Sequence, residues 1–338
     1  MRVIGLDIGG ANVKAADGDG TALSRPFPLW KEPERLTSVL DEVLARFAPA
    51  DALAVTMTAE LADCFATKAE GVAAVLRSVE AAAGGKPIHV WRTGGEFVSP
   101  EAARELPLLV AAANWHALAT WAGRIAPRGG AILIDIGTTT ADLIPLFDGT
   151  PTPRGSTDVE RLQAGELVYS GVRRTPVCAI AHSAPFRDRH CPLAAELFAT
   201  TLDAYLLTGD VPENEGDRDT ANGRPATIDR AHDRLARMLC CDRTEIGDDE
   251  LLEIARFVAD VQRQRIAGAL ARVLAGRKGE CRHVILSGSG TFLAERVAAS
   301  VPSLCGVART KLADLLAPEA ATAACAFAVA RLAAERGT

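Results

Sequence analysis

Two stretches of the chain share one pattern: Gly5–Ala16 reads GLDIGGANVKAA, and Leu133–Ile144 reads LIDIGTTTADLI. Each has an apolar run, an aspartate, a corner rich in glycine or hydroxyl groups, and a second apolar run. A glycine-rich corner between two apolar runs is typical of a β-hairpin. We therefore expect the same aspartate-tipped hairpin to be built twice, with the two corners facing each other across a cleft.

Length and charge limit the classes of function. The chain has 338 residues, more than one compact core usually holds, so we expect two domains. The formal net charge is −6 and no dense Lys/Arg stripe is present, which argues against nucleic acid as a partner. The eight cysteines are scattered without a CxxC pair, and no signal peptide precedes the first strand. Reduced thiols and a cytoplasmic protein are expected.

The longest apolar run, LPLLVAAANWHALATWAG from Leu106, is the one segment that invites a membrane interpretation. It carries Asn114 and His116 in its middle, and both would be costly to bury in lipid. We therefore predict a core helix with a hydrogen-bonded core histidine, and no membrane partner.

The order of elements favours an α/β fold. Strand-like runs such as DALAVTM and PIHVW alternate with helical runs, and the alternation starts again near Gly130. GELVYSGV and PVCAIA are predicted to be strands, the second of them buried, and PEAATAACAFAVARLAAER is predicted to be the closing helix. The polar stretch GDVPENEGDRDTANGRP (209–225) is predicted to be either a solvated loop or a substrate lid.

The two hairpins have the residue types that bind phosphates and a metal. An aspartate at the end of a buried strand is costly unless it is neutralised, and Mg²⁺ binds one or two carboxylates together with phosphate oxygens. Asp7 and Asp135 fit that role from opposite sides, and Asp142 is a further metal or base candidate. The predicted phosphate contacts are the backbone and hydroxyl groups of Gly9, Gly10, Gly137, Thr138, Thr139 and Thr140, and the ammonium of Lys14.

A third glycine-rich corner, at residues 287–291 within VILSGSGTFLAERV, follows a strand and opens a helix. Gly288 and Gly290 permit a close approach of the backbone, either to a nucleotide or to a neighbouring element. The third glycine of the dinucleotide fingerprint is missing and no Walker A sequence occurs, so both interpretations stay open.

The chain resembles the actin-like ATPase superfamily, which includes sugar kinases, Hsp70 and actin. The resemblance rests on the two hairpins, the crossing helix, the late glycine-rich corner and the terminal helix. It implies two ribonuclease-H-like domains around a cleft. The first would hold residues 1–113 and 318–338, and the second residues 114–317, with the polar loop at 209–226.

The motifs DIGGANVKAA, TMTAELADCF, NWHALAT, DIGTTTADLIPL, GELVYSGVRRTPV and ELFATTLDAYLLTGDVPE resemble the hydantoinase/oxoprolinase-related branch more closely. Within it they are similar to a small family linked to tetrahydromethanopterin-dependent one-carbon metabolism and, in archaea, to methanofuran biosynthesis. That resemblance implies an alkyl transfer without ATP. A furfuryl diphosphate would lose diphosphate to the phenol oxygen of a glutamyl-tyramine-like acceptor.

The resemblance also implies roles for particular residues. Asp7 and Asp135 would hold Mg²⁺, and Asn12 would join the diphosphate contacts. Asp142, Glu60 and Glu166 are the candidates for the general base. The expected substrate-binding residues are Thr56, Thr58, Arg173, Arg174, Arg224, Gly288 and Gly290.

Three alternatives stay open. The same hairpins would serve an ATP-dependent small-molecule kinase or an ATP-driven lactam hydrolase, and a non-catalytic nucleotide sensor would also use them. In the sequence, Cys178, His182, His190 and Cys191 lie within 14 residues, but their spacing does not match the usual pairs of zinc ligands.

The resemblance leaves a homodimer open as a partner.

Overall fold

The computed structural model describes residues 1–47, 49–277 and 279–337. The strands are β1 (Val3–Ile8), β2 (Asn12–Ala16), β3 (Ala22–Pro26), β4 (Ala52–Met57), β5 (Ile88–Arg92), β6 (Glu96–Val98), β7 (Gly130–Ile136), β8 (Ala141–Phe147), β9 (Thr150–Pro151), β10 (Leu167–Val168), β11 (Ser183–Phe186), β12 (Arg189–Pro192), β13 (Cys281–Ser287) and β14 (Ala308–Lys311). The helices are α1 (Leu36–Leu44), α2 (Lys68–Ala82), α3 (Pro100–Glu105), α4 (Pro107–Val110), α5 (Asn114–Ala122), α6 (Asp158–Ala164), α7 (Val177–Ile180), α8 (Thr201–Leu207), α9 (Ile228–Arg237), α10 (Asp248–Ala275), α11 (Thr291–Ser300), α12 (Pro318–Thr322) and α13 (Ala324–Arg336).

Two six-stranded sheets carry the fold, one in each half of the chain. The first has the order β3-β2-β1-β4-β5-β6, and the second has the order β10-β8-β7-β13-β14 with β9 paired to β8. In each sheet an antiparallel hairpin is followed by a parallel strand placed beside the hairpin's first strand. This confirms the predicted α/β class and the repetition of one hairpin in two halves.

Helices α5 and α13 lie between the two sheets. On one side Ala117 of α5 and Val329 of α13 share a core cluster with Val3 and Trp91 of the first sheet. On the other side both helices pack against strands of the second sheet. Gly5 makes the contact with β1 possible, because a Cβ at this position would lie 2.0 Å from the carbonyl oxygen of Ala326. The closing helix is therefore held directly beneath the first hairpin.

Three local predictions were wrong. PVCAIA forms the short helix α7 instead of a strand, and GELVYSGV contributes only the two residues of β10. The apolar run from Leu106 is not one helix, because Ala112 takes a positive φ of 48° and separates α4 from α5. His116 is a core residue, as predicted, with its ring against Trp91 and Trp115. None of the helices in the described part combines the length and apolar character that crossing a membrane requires.

Candidate active site between two hairpins

The two hairpins place charged side chains in equivalent positions. Asp7 on β1 pairs with Lys14 on β2, and Asp135 on β7 pairs with Asp142 on β8. Side chains of directly opposed residues in an antiparallel pair lie on the same face of the sheet. Each aspartate therefore has a charged neighbour beside it, a cation in the first hairpin and an anion in the second.

The two corners are also closed in the same way. The N–H of Gly9 donates to the carbonyl of Asn12, and the N–H of Gly137 donates to the carbonyl of Thr140, both at 2.9 Å. These bonds leave Gly10 and Ala11 at the tip of the first hairpin, and Thr138 and Thr139 at the tip of the second. A Cβ built on Gly10 meets no protein atom within 4 Å, so the space beyond this tip is open to a ligand.

Asp7 and Asp135, one on each sheet, interact electrostatically. Burial raises the pKa of Asp7, while Lys14 and the nearby Asn114 side chain lower it. Burial raises the pKa of Asp135 to about 6, the charges of Asp142 and Asp7 add to the rise, and Ser287 and Lys14 oppose it. Among the described residues, Asp7 Oδ1 is buried without a hydrogen-bond partner. Two carboxylates that interact electrostatically, one of them unsatisfied, offer oxygen donors of the kind that a divalent cation binds.

Glu60 is the other unsatisfied acid near this cleft. It lies in the turn Ala59–Leu61 that follows β4, and its side chain is almost completely buried. Neither carboxylate oxygen has a hydrogen bond of normal geometry with a described residue. Burial raises the pKa of Glu60 to about 7, and the nearby backbone N–H groups and Lys68 only partly offset the rise. A carboxylate of that pKa can accept a proton near neutral pH.

Strand β4 and the residue that follows it carry the two threonines, Thr56 and Thr58, that were predicted to line the cleft. Thr56 pairs with Asp7 across the parallel β1–β4 ladder, and its buried hydroxyl has no hydrogen-bond partner in the described part of the chain. A Cβ built on Gly9 would lie 3.4 Å from the hydroxyl oxygen of Thr58. Both therefore lie beside the first hairpin.

Asp142 and Glu166, the other two base candidates, already have strong partners. Asp142 accepts a hydrogen bond of 2.7 Å from buried Arg161, whose guanidinium lies 3.9 Å from the ring centroid of Trp115. Glu166 accepts hydrogen bonds from the backbone N–H groups of Arg154 (2.7 Å) and Gly155 (3.2 Å). Their carboxylates hold the structure together, and Glu60 is the candidate whose carboxylate is free of such bonds.

The comparison with known proteins identifies the family. The family model described as Hydantoinase/oxoprolinase matches residues 51–336, which is most of the chain. The chain belongs to the hydantoinase/oxoprolinase family. The matched segment begins after the first hairpin, so Asp7 and Lys14 lie outside it.

Two curated relatives share the same name. A Methanocaldococcus jannaschii protein is 37% identical over 258 residues, which cover 75% of this chain and 76% of that protein. It is named (4-{4-[2-(gamma-L-glutamylamino)ethyl]phenoxymethyl}furan-2-yl)methanamine synthase. A Methanococcus vannielii protein with this name is 37% identical over 124 residues, covering 37% of this chain and 55% of that protein.

A solved structure supports the fold of this hydantoinase/oxoprolinase family member. The nucleotide-free structure of acetone carboxylase aligns with 97% of this chain and 70% of its own, with a TM-score of 0.58 and 11% sequence identity. At that identity the likeness concerns the fold alone. Together with the two sheets and the central helices, it shows the predicted two-domain, actin-like architecture; the predicted domain boundaries stay a prediction.

The third glycine-rich corner packs against the second hairpin. A Cβ on Gly288, whose φ is +87°, would lie 2.2 Å from the carbonyl oxygen of Ile136 and 2.6 Å from Asp135 Oδ1. A Cβ on Gly290 would lie 2.6 Å from Val172, and its N–H donates to Ile136 at 2.8 Å. Of the two interpretations left open by the sequence, close packing of strand and helix therefore has a direct structural reason.

The three arginines that were predicted to bind substrate differ in their surroundings. Arg173 forms ion pairs with Asp217 (2.6 Å) and Asp219 (3.3 Å) and thereby anchors the polar loop, so it is not free to bind a ligand. Arg224 lines a groove of mixed charge that also contains Arg218, Arg230, Glu213 and Glu215. Arg174 lies over the ring of Trp30, 5.1 Å from its centroid.

The described cysteines and histidines near α7 are not part of a metal-binding cluster. Cys191 and His190 lie on β12, where Cys191 pairs with Ala184 of β11. Within residues 1–47, 49–277 and 279–337, no group of three or more His, Cys, Asp or Glu side chains is placed to hold a metal ion. A cation at Asp7 and Asp135 would therefore need ligands from water or from a substrate.

Sequence reasoning missed three residues at this site: Asn114, Cys325 and Trp30. Asn114 lies beside Asp7, and the pKa of the Cys325 thiol is raised by burial and by the charges of Asp7 and Asp135. Cys325 reaches the acids because α13 packs so closely on Gly5. No pattern in the sequence links these residues to the hairpins; the contacts come from the packing of α5, α13 and the segment after β3.

Proposed function

We propose that this chain joins an aminomethyl-furfuryl diphosphate to the phenol oxygen of a γ-glutamyltyramine-like acceptor and releases diphosphate. The reaction would serve methanofuran biosynthesis in tetrahydromethanopterin-dependent one-carbon metabolism. Its main support is the 37% identity, over 75% of the chain, to a relative whose named product contains a phenoxymethylfuran. Such a product has an ether bond between a phenol oxygen and a furfuryl carbon, the bond that this reaction forms.

The hairpins suit the binding of the leaving group. Gly10 and Thr138 stand at the tips of the two hairpin corners, and Lys14 adds a positive charge that lowers the pKa of both Asp7 and Asp135. Backbone N–H groups, hydroxyls and an ammonium are the usual ligands of phosphate oxygens. We therefore assign the diphosphate to the space between the corners.

The unsatisfied Asp7 oxygen and the neighbouring Asp135 fit Mg²⁺, and these two residues would hold it. When bound, the ion would neutralise part of the diphosphate charge and so improve the leaving group. A pKa of about 6 for Asp135 means that its carboxylate is mostly ionised at neutral pH, as cation binding requires.

Glu60 is assigned as the general base. As the bond between phenol oxygen and methylene carbon forms, the phenol proton moves to the Glu60 carboxylate. The bond between the methylene carbon and the diphosphate oxygen breaks, and its electron pair leaves with the diphosphate. The furan ring stabilises the positive charge that develops on the carbon. Atoms and charge balance without ATP.

The direct experiment is a product assay. Purified protein is incubated with magnesium, the furfuryl diphosphate and γ-glutamyltyramine, without ATP, and the ether product is measured by mass spectrometry together with released diphosphate. We expect one diphosphate for each ether formed. Absence of the product would contradict the proposal, and product formed only with ATP would favour the alternative ATP-dependent enzyme.

The proposal also leads to a test of ligand choice by thermal unfolding. A ligand present at 100 times its dissociation constant stabilises the folded state by about 2.7 kcal/mol. We expect magnesium with diphosphate to stabilise the protein and ATP to do so less. Strong stabilisation by ATP and none by diphosphate would favour an ATP-dependent enzyme over the proposed transferase.

A cytoplasmic location and a homodimer stay predictions. The location agrees with eight unpaired cysteines.

A further inference from the structure

A cation–π contact joins the two halves of the chain at the edge of the candidate site. Arg174, from the loop after β10, lies over the indole of Trp30, from the segment after β3, at 5.1 Å from the ring centroid. Both side chains are half-buried. Arg174 follows the β7–β8 hairpin in the chain, and Trp30 follows the β1–β2 hairpin. The contact therefore connects the segments that follow the two hairpins.

Backbone hydrogen bonds fix each partner to one of the two corners. The N–H of Leu29, the residue before Trp30, donates to the carbonyl of Gly10 at 3.0 Å. The N–H of Arg174 donates to the carbonyl of Thr138, also at 3.0 Å. The indole and the guanidinium are therefore held beside the two tips that we assign to diphosphate.

Arg174 differs from its neighbour Arg173 in what binds its guanidinium. Arg173 is held by two aspartates, whereas the Arg174 side chain makes no hydrogen bond or ion pair with any residue that the structure describes. A guanidinium binds phosphate oxygens through two charge-assisted hydrogen bonds, which are stronger than its contact with a ring face. An incoming diphosphate would therefore compete successfully for this side chain.

We propose that Trp30 and Arg174 form a clamp that recognises an arylmethyl diphosphate. The diphosphate draws Arg174 off the indole, and the exposed face of Trp30 then stacks on the aromatic ring attached to the diphosphate. The pair thus selects substrates that carry both groups. This inference rests on the proposed function for its substrate class, and it adds the residues that select the ring.

Binding measurements separate the ring from the phosphates. Inorganic diphosphate and benzyl diphosphate, each with magnesium, are titrated into the wild type, Trp30→Leu and Trp30→Phe by calorimetry. Loss of a stacking contact corresponds to about tenfold in affinity. We expect Trp30→Leu to lose about tenfold for benzyl diphosphate and less than twofold for inorganic diphosphate, and Trp30→Phe to keep most of the affinity for both. Equal losses for the two ligands, or none, would overturn the clamp.

Fluorescence tests the movement of Arg174. We expect inorganic diphosphate to change the emission of the wild type, and the change to be absent in Trp30→Phe and in Arg174→Gln. Arg187→Gln is the matched control, because Arg187 also lies over a ring, that of Phe186 at 4.5 Å, on the β11–β12 hairpin. An unchanged emission in the wild type, or an unaltered response in Arg174→Gln, would contradict the clamp.

The clamp and the proposed function can fail separately. If the product assay forms the ether but Trp30→Leu binds both ligands as the wild type does, the clamp is wrong and the reaction stands. If Trp30→Leu loses affinity for benzyl diphosphate alone but no ether forms, the clamp stands and the assigned reaction is wrong.

Discussion

Lys14 and Asp142 occupy the same position in two equivalent hairpins, each directly opposite the aspartate that stands one residue before the end of the first strand. Lys14 lowers the pKa of Asp7, whereas Asp142 raises the pKa of Asp135. The repeated hairpin therefore carries a nearly neutral pair on one side of the cleft and an acidic pair on the other. The guanidinium of Arg161 neutralises part of the negative charge of the acidic pair through its 2.7 Å ion pair with Asp142. Lys14 remains as the cation beside the facing acids.

The two facing aspartates should matter for activity more than for folding. We predict that Asp7→Asn and Asp135→Asn each lower turnover by about 10²–10³-fold or more, because each removes a charge that acts on the leaving group. Burial raises the pKa of both, so the charged forms oppose folding and neither amide should lower the free energy of unfolding. Turnover and urea unfolding are measured side by side. Asp19→Asn, on an exposed turn, is the control.

Asp135 contributes to the pH dependence of unfolding. Its pKa is about 6 in the folded state, above the ordinary aspartate value of 3.8. Between these values the folded state binds more protons than the unfolded state, so the free energy of unfolding falls as pH rises through this range. Asp135→Asn should flatten that fall. A wild-type stability that rises over the same range, with no difference in the variant, would contradict the assignment.

Glu60 should control the pH profile of the transfer. Its pKa of about 7 predicts that kcat/KM rises with pH up to about 7, because the base must be ionised. In Glu60→Gln we expect kcat to fall by about 10²-fold or more and this rise to disappear, with inorganic diphosphate bound as in the wild type. Glu166→Gln is the contrasting variant: its carboxylate accepts two backbone N–H bonds, so we expect lost stability instead. A pH profile unchanged in Glu60→Gln would move the base elsewhere.

Asp142 is predicted to act mainly on stability. Asp142→Asn leaves the buried Arg161 without its carboxylate, which should cost about 3–5 kcal/mol of unfolding free energy. The double variant Asp142→Asn with Arg161→Met removes the unpaired charge and should recover part of that loss. Denaturant unfolding of the three proteins checks this. If the double variant is no more stable than Asp142→Asn, the pair does not carry the energy assigned to it.

Two glycines at different corners, one in the first hairpin and one after β13, give opposite expectations. Gly288→Ala would place a Cβ 2.2 Å from the carbonyl of Ile136, so we expect a clear loss of stability. Gly10→Ala meets no protein atom within 4 Å, so stability should change by less than about 0.5 kcal/mol while diphosphate binding weakens. Calorimetry with diphosphate and urea unfolding separate the two effects. Unaltered diphosphate binding in Gly10→Ala would show that this tip does not face the ligand.

The parts of the fold that have a local sequence pattern could be predicted from the sequence. Asp7 and Asp135 were found because an aspartate between an apolar run and a glycine-rich corner is visible in the sequence, and the repetition revealed the two halves. The choice among the three base candidates was not accessible in the same way. It depends on which carboxylates find distant partners, such as Arg161 for Asp142, and those contacts form only on folding.

The wrong predictions of secondary structure and the missed site residues also depend on features that appear only in the folded chain. The apolar run from Leu106 has helical spacing on both sides of Ala112, but residues 111–113, with extended Ala111 and the positive φ of Ala112, separate the two helices. Trp30 and Cys325 reach the site through the packing of segments far apart in the chain. Their residue types are common in ordinary cores and surfaces, so no local signal marked them.

The measurement that tests the central claim most directly is a crystal structure with diphosphate and Mn²⁺, whose anomalous signal marks the metal. We predict one anomalous peak between the carboxylates of Asp7 and Asp135, with diphosphate oxygens contacting Lys14 and both hairpin corners. In crystals of Asp7→Asn the peak should be lost or strongly reduced. Diphosphate bound away from the hairpins, or a metal held by only one of the two aspartates, would contradict the account.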